Sequence, residues 1–131
     1  MRIYLAASYS ARLAVEARAA ELRARGHNVT STWHNGHHET RPGIDANGTE
    51  AEQAQWARED LRDIRRADAL ILCADLGASR RGGAHVETGY ALGYGKALVV
   101  VGDTSNVFYT LDEVLRFATW GECVVAMDAT L

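Results

Sequence analysis

The sequence has little of what marks membrane-bound, secreted or polyanion-binding proteins. Its 131 residues carry a net charge of −3, so it lacks the basic excess that binds polymeric nucleic acid. The apolar runs at 69–74 and 97–101 are far shorter than a segment that crosses a bilayer. No basic and then apolar signal segment opens the chain. We therefore expect a cytoplasmic protein that binds neither membranes nor nucleic-acid polymers.

Proline and cysteine are also scarce, with one and two residues. Cys73 and Cys123 lie inside apolar runs, which favours buried free thiols in a reducing compartment over a disulfide or a metal pair. Hydrophobic residues make up 47% of the chain and charged residues 24%, which is enough apolar material for one core. Because no repeat or linker divides the chain, we expect a single domain over residues 1–131.

Short apolar segments alternate with stretches of helical character. Ser10 is the predicted cap of the first helix, and Thr49 and Glu52 form a capping box before the second. The predicted strands cover 1–7, 27–32, 68–74, 97–101 and 122–126, and the predicted helices cover 11–25, 49–66, 82–95 and 110–117. This alternation predicts an α/β fold with a parallel sheet of five strands. We expect the order 2-1-3-4-5 of a flavodoxin-like or Rossmann-like three-layer sandwich.

Polar residues gather in the turns where ligands bind to such a sheet, beyond the carboxyl ends of the strands. These turns, at 7–10, 75–83 and 102–106, are rich in Ser, Asp, Arg and Gly, which suits a small polar ligand. Gly82 and Gly83 let the backbone approach a ligand, and the helix after them presents free amides. Glu87 lies about one turn inside this mostly apolar helix. It is therefore the leading candidate for a functional carboxylate.

A second acidic group lies on the helix predicted at 49–66. Leu61 and Ile64 must face the sheet, which puts Asp60 at the edge of the buried stripe. For Asp60 the structural and the functional interpretation stay open. We interpret Asp63 as an outward-facing residue that forms a salt bridge with Arg66.

Three further groups invite functional interpretations. Ser79, Arg80 and Arg81 are able to bind a phosphate, although the residues alone favour solvated surface arginines. The spacing of His34, His37 and His38 matches no strong zinc pattern, so these residues are expected to line the site or face solvent. Tyr4 is more often a core strand residue, but at the end of the first strand its hydroxyl is within reach of the ligand edge. Trp33, Trp56 and Trp120 are expected in the core or at an interface, with Trp33 or Trp56 as a candidate for stacking on a base.

With these residues in view, the sequence resembles the nucleoside 2-deoxyribosyltransferase family and the related N-glycosidases that act on nucleoside monophosphates. The likeness covers most of the chain, and the order and spacing of its segments make it specific. The matching segments are Ile3-Tyr4-Leu5-Ala6-Ala7-Ser8, Glu59-Asp60-Leu61-x-x-Ile64, Ala67-Asp68, Gly83-x-x-x-Glu87-x-Gly89-Tyr90-Ala91-Leu92 and Gly95-Lys96-Ala97.

The resemblance implies a role for each matching residue. Glu87 corresponds to the nucleophile that forms a glycosyl–enzyme ester, and Asp60 to the carboxylate that binds and protonates the base. Tyr4 corresponds to a tyrosine that holds the nucleophile. Asp75 lies near a base-binding aspartate, and Asn106 lies in the loop that serves a neighbouring subunit, which implies a homodimer or larger homo-oligomer. We expect further substrate contacts from the turn residues Ser8, Ser79, Arg80, Gly82 and Gly83.

These assignments predict cleavage or transfer at the N-glycosidic bond of a (deoxy)nucleoside or nucleoside 5'-monophosphate, with no metal or organic cofactor. Arg12 and the arginines at 80 and 81 favour a monophosphate, although the turn at 8–12 lacks the glycines of the relatives that act on monophosphates. Two alternatives remain. One is a nucleotide-binding or sensing module without turnover. The other is an NAD-cleaving glycohydrolase, since related α/β folds also use a helix glutamate for N-glycosidic cleavage.

Overall fold

A computed structural model describes residues 1–36, 48–77, 82–103 and 105–131. The sheet contains five parallel strands in the order β2-β1-β3-β4-β5, so the predicted fold class is confirmed. The strands are β1 (Arg2–Ala6), β2 (Asn28–Val29), β3 (Ala69–Cys73), β4 (Ala97–Val101) and β5 (Val114–Phe117). The helices are α1 (Arg12–Ala24), α2 (Glu50–Arg66), α3 (Gly83–Gly93) and α4 (Trp120–Asp128).

The centre of the sheet is the core of the domain. Every residue of β3 and nearly every residue of β1 and β4 is buried, as expected for strands covered on both faces. Right-handed crossovers put α1 on one face and α2 and α3 on the other. Arg18 of α1 stacks on Trp120 of α4, which places α4 beside α1. One face of the sheet therefore carries α2 and α3, and this is the face toward which Tyr4 points.

The start of α2 agrees with the prediction in atomic detail. The Thr49 hydroxyl accepts the amide of Glu52, and the Glu52 carboxylate accepts the amide of Thr49, each at 3.1 Å. These reciprocal bonds form the predicted capping box. The helix ends at Arg66, also as predicted.

The C-terminal third of the chain corrects two predictions. Residues 114–117, predicted as the end of a helix, form β5, and residues 122–126, predicted as a strand, lie in α4. The Thr119 hydroxyl accepts the amide of Glu122 at 3.2 Å and caps α4. Cys123, Val124 and Met127 are buried while Val125 is 71% exposed, which is a helical pattern. An apolar run of about five residues does not by itself distinguish a strand from one helical turn.

Two shorter segments also differ from the prediction. Ser10 does not cap α1, because it lies in a 3-10 turn at Tyr9–Ala11 and its hydroxyl meets that of Ser8 at 2.9 Å. The second strand contains only Asn28–Val29. After it, Thr30 and Thr32 donate their hydroxyl hydrogen bonds to Asp63 of α2. These bonds fix the chain after β2 against α2.

The two cysteines behave as predicted. Cys73 and Cys123 are buried free thiols. Burial raises the pKa of Cys73 to about 11 and that of Cys123 to about 12, so both remain neutral thiols near neutral pH. Within the described ranges, no helix is both long and apolar enough to span a bilayer.

Candidate active site

Tyr4 and Glu87 meet between the sheet and α3. Tyr4 is completely buried in β1, and its hydroxyl donates a hydrogen bond to Oε2 of Glu87. Glu87 lies one turn inside α3, which begins after Gly82 in a left-handed conformation with φ of 75°. The phenol therefore holds a half-buried carboxylate at the entrance of the helix.

Asp60 of α2 supplies a second carboxylate to this place. Burial raises the pKa of Glu87 to about 8, and the negative charge of Asp60 contributes to the increase, while the hydrogen bond from Tyr4 opposes it. Two like charges in a poorly solvated site cannot both form at low cost. Glu87 therefore retains its proton up to about pH 8 in the free protein.

Tyr4 is held in its neutral form by the same surroundings. Burial is the largest cause of its raised pKa, and the charges of Glu87, Asp60 and Asp63 add to it. The phenol therefore stays protonated and acts as a hydrogen-bond donor to Glu87 at physiological pH. The predicted contact between Tyr4 and Glu87 is thus present in the structure.

Asp63 is a residue whose place the sequence interpretation missed. The predicted outward orientation is wrong, because Asp63 is only 2% exposed. Its carboxylate accepts the Thr32 hydroxyl at 2.8 Å, and burial raises its pKa. The sequence did contain a signal, since Asp63 follows Asp60 by three residues and such residues share one side of a helix.

The turn after β1 presents hydroxyls and a cation. Ser8 and Ser10 contact each other at 2.9 Å, and the Arg12 guanidinium lies over the Tyr9 ring, 4.9 Å from its centre. Within the part of the chain that the structure describes, the buried Nε of Arg12 has no hydrogen-bond partner. This turn therefore has donor capacity for an anionic group of a ligand.

Asp75 and Asn106 follow β3 and β4, as predicted, but both are engaged within the chain. Asp75 accepts two hydrogen bonds from the Arg18 guanidinium, at 2.9 and 2.5 Å. Oδ1 of Asn106 accepts the amide of Phe108 at 3.0 Å. Both side chains therefore have partners within the chain, and their predicted contacts with substrate stay predictions.

A cavity of about 500 Å³ lies between α3, β4 and the 3-10 turn Val107–Thr110. Glu87 is not among its lining residues, which include Asn106. The lining is mostly apolar and consists of His85, Thr88, Gly89, Leu92, Gly93, Leu98, Asn106, Phe108 and Tyr109.

A model of the nucleoside 2-deoxyribosyltransferase family matches residues 3–127. The chain belongs to this family. The family assignment made from the sequence motifs is confirmed. It identifies an enzyme from a family that cleaves or transfers at N-glycosidic bonds. No curated protein sequence matches the chain significantly.

Two solved structures share the fold of this family member. A 2-deoxyribosyltransferase from Bacillus psychrosaccharolyticus is 23% identical with a TM-score of 0.71, over 95% of this chain and 90% of that one. A CMP N-glycosidase from Clostridium botulinum is 20% identical with a TM-score of 0.58, over 98% of this chain and 99% of that one. At these identities the likeness is one of fold.

Several predicted ligand residues lie outside the described residues, namely Ser79, Arg80, Arg81, His37 and His38. Gly82 and Gly83 begin α3 beside Glu87, as expected. His34 neither lines the site nor faces solvent, because it is buried and bonded to Glu16 and Ser31. Among residues 1–36, 48–77, 82–103 and 105–131, no cluster of His, Cys, Asp or Glu is arranged to hold a metal ion.

Trp33 is also unavailable for stacking on a base. It is 6% exposed, and its indole nitrogen donates to the carbonyl of Leu5 at 2.7 Å. The residue therefore belongs to the core beside β1, as a buried tryptophan with its polar atom satisfied.

Proposed function

We propose that this family member cleaves or transfers at the N-glycosidic bond of a (deoxy)nucleoside or nucleoside 5'-monophosphate through a glycosyl–Glu87 ester, without a cofactor. The observation that carries the proposal is the contact of Tyr4 with Glu87, next to the charge of Asp60. Breaking an N-glycosidic bond develops positive charge at the anomeric carbon. A carboxylate stabilises that charge and traps it as an ester.

Glu87 and Asp60 have separate roles in the first step. An ionised Glu87 oxygen bonds to the anomeric carbon while the bond to the base nitrogen breaks and its electron pair stays with the base. Asp60 donates a proton that neutralises the leaving base. The reactive form of this step therefore has Glu87 charged and Asp60 protonated.

The second step releases the sugar from Glu87. Water or a second base attacks the anomeric carbon, the ester bond breaks, and Glu87 leaves as a carboxylate. Asp60 takes up the proton that the attacking group loses. Hydrolase and transferase differ only in this attacking group, so the same residues serve both reactions.

A monophosphate is the substrate that the turn after β1 favours. Replacing Arg12 by glutamine is expected to raise KM for the 5'-monophosphate about tenfold, because a charged donor to phosphate is lost. KM for the matching nucleoside should not change. Steady-state kinetics on both substrates, with the exposed Arg25→Gln as control, measure this. An equal effect on nucleoside and nucleotide would argue against a phosphate contact at Arg12.

Tyr4→Phe is expected to lower kcat about tenfold and to move the acidic limb of the pH profile about one unit higher. The hydrogen bond from Tyr4 lowers the pKa of Glu87, so its loss raises that pKa and disfavours the charged nucleophile. A pH–rate profile measures both effects, with the exposed Tyr94→Phe as control. An unchanged acidic limb in Tyr4→Phe would contradict a role of the phenol in tuning Glu87.

We also propose a cytoplasmic homodimer or larger homo-oligomer. Asn106 lies in the turn that the resemblance assigns to a neighbouring subunit's sugar site. Beside it, Val107 and Phe108 are 69% and 63% exposed, and such apolar side chains favour burial by a partner. The molar mass in solution, measured by light scattering, tests the oligomeric state.

The function itself is tested by base release from nucleosides, deoxynucleosides, their monophosphates and NAD, each with and without an acceptor base. Release of a base and a glycosyl adduct on the acid-quenched protein would support the proposal. Release of nicotinamide from NAD would identify the glycohydrolase instead. Tight binding of a nucleotide without any release would favour a sensing module.

A further inference from the structure

His34 is a buried histidine whose two ring nitrogens both contact polar side chains. Its side chain is completely buried, and the Trp33 ring packs edge-on against it at 5.2 Å. Nδ1 lies 2.6 Å from Oε2 of Glu16 on α1, and Nε2 lies 2.7 Å from Oγ of Ser31. The three residues have the order of a catalytic triad, but Ser31 is only 1% exposed, so a substrate does not reach its hydroxyl. These contacts therefore have a role other than nucleophilic catalysis.

The hydrogen bonds between these three side chains run in one direction. Although burial opposes it, hydrogen bonds from His34 and Arg23 hold the pKa of Glu16 below its ordinary value. An ionised carboxylate only accepts hydrogen bonds, so Nδ1 of His34 carries a hydrogen. Burial lowers the pKa of His34, which leaves the ring neutral near neutral pH and makes Nε2 an acceptor. The Ser31 hydroxyl therefore donates its hydrogen to His34 and keeps its lone pairs for another donor.

That other donor is the main chain of β1 next to Tyr4. Oγ of Ser31 accepts the amide of Leu5 at 3.1 Å, and this amide belongs to the peptide group that joins Tyr4 to Leu5. The carbonyl of Leu5 accepts from the indole nitrogen of Trp33 at 2.7 Å. Because β2 pairs with only the first two residues of β1, Leu5 takes both of these partners from side chains. The end of β1 is therefore held by Ser31 and Trp33.

We propose that His34 is a positioning residue of the candidate active site, which orients the Ser31 hydroxyl so that its oxygen binds the peptide after Tyr4. The orientation of that peptide sets the main-chain angle ψ of Tyr4, and with it the direction in which the phenol points toward Glu87. A hydrogen bond weakens steeply as its angle departs from linearity, so the contact of Tyr4 with Glu87 depends on this direction. This inference rests on the proposed function, in which Glu87 is the nucleophile that Tyr4 holds.

The first test is the tautomer of His34 in the free protein, which needs no substrate. Long-range nitrogen–proton NMR of the imidazole rings should show a neutral His34 with its hydrogen on Nδ1 near neutral pH. Only this form accepts the hydroxyl of Ser31 at Nε2 while it donates to Glu16. A hydrogen on Nε2, whether the ring is neutral or charged, would leave Ser31 without this acceptor and would overturn the proposal.

Two matched substitutions of His34 separate its two contacts. The asparagine amide reaches about as far as Nδ1 and keeps a donor to Glu16, whereas the glutamine amide reaches as far as Nε2 and keeps an acceptor for Ser31. In His34→Asn we expect about tenfold faster hydrogen exchange of the Leu5 amide. Carboxyl carbon NMR should show the apparent pKa of Glu87 about half a unit higher, because the bond from Tyr4 is weaker. His34→Gln should stay near wild type, and equal effects of both substitutions would overturn the proposal.

Ser31→Ala covers the case in which His34→Asn does not fold. It removes one oxygen atom and leaves both Nε2 of His34 and the Leu5 amide without the partner that they share. Because His34 acts through this oxygen, the same rise in the apparent pKa of Glu87 is expected. A wild-type titration of Glu87 in Ser31→Ala would overturn the proposal.

Kinetics in a Tyr4→Phe background then distinguish a positioning role from a purely structural one. With Tyr4 present, His34→Asn should lower kcat about fivefold and move the acidic limb of the pH profile about half a unit higher. In Tyr4→Phe the same substitution should change neither value further, because the phenol through which it acts is absent. Equal changes in both backgrounds would overturn the proposal. If wild type releases no base, the proposed function fails, while the NMR titration still decides whether His34 acts on Glu87.

Discussion

Replacing Glu87 by glutamine is expected to lower the rate of base release by about 1,000-fold or more. Glutamine has almost the same shape and still accepts the hydrogen bond from Tyr4. It cannot, however, form the ester with the anomeric carbon. The measurement is kcat for base release on the best substrate, together with the mass of the acid-quenched protein, in which the glycosyl adduct should be absent.

The exposed Glu113→Gln is the matched control and should keep wild-type activity. If Glu87→Gln retained most of the activity and the adduct appeared on another residue, the nucleophile would lie elsewhere. A loss of activity together with unfolding would be uninformative, so the folded state of the variant must be measured as well.

The same variant is expected to be more stable than wild type in alkaline solution. The pKa of Glu87 is about 8 in the folded protein, against an unperturbed value near 4.5, so the folded state binds the proton more tightly. The stability that this proton contributes is complete at acidic pH and is lost as pH rises through about 8. Relative to wild type, Glu87→Gln should gain up to about 5 kcal/mol in free energy of unfolding between acidic and alkaline pH. Urea unfolding at the two extremes measures this.

Replacing Gly102 by alanine is expected to lower the free energy of unfolding by about 3 kcal/mol. Gly102 follows β4 with φ of 98°, a conformation that disfavours side chains. A Cβ there would lie 2.6 Å from the Asp75 amide nitrogen and 2.9 Å from its Cα. Those are backbone atoms of the neighbouring turn, so no side-chain rotation relieves the overlap.

The control for this substitution is Gly95→Ala. Gly95 also has a positive φ, 72°, but an added Cβ would meet no atom within 4 Å. Only the conformational cost applies there, about 1 kcal/mol. Urea unfolding of both variants separates strain from overlap. Equal losses would show that the close approach of Gly102 to Asp75 contributes nothing to stability.

The interior strands were the most predictable part of the fold. β3 and β4 were predicted to within a residue or so because a parallel strand buried on both faces is apolar throughout. The start of α2 was predictable because both partners of its capping box lie within four residues. Local chemistry decided each of these elements.

The C-terminal elements were not predictable on the same basis. Residues 122–126 form one turn of α4 with apolar residues on both sides, and β5 has two exposed residues on an edge of the sheet. Neither segment has the periodicity of its final structure. Residues 114–117 form a strand because they pair with β4 at the edge of the sheet. Residues 120–128 form a helix because the Thr119 side chain caps it and because Cys123 and Met127 are buried.

The sequence by itself determined the family, the order of the strands and the candidates Glu87, Asp60 and Tyr4, because these depend on residue types at short, fixed spacings. Only the tertiary structure determined which partners the charged side chains have. In the folded chain Asp75 bonds to Arg18, and Asp63 lies inward and bonds to Thr32. The residues of these two pairs are 57 and 31 positions apart in the sequence. Such pairings depend on how helices pack on the sheet. No local pattern of residues in the sequence predicts them.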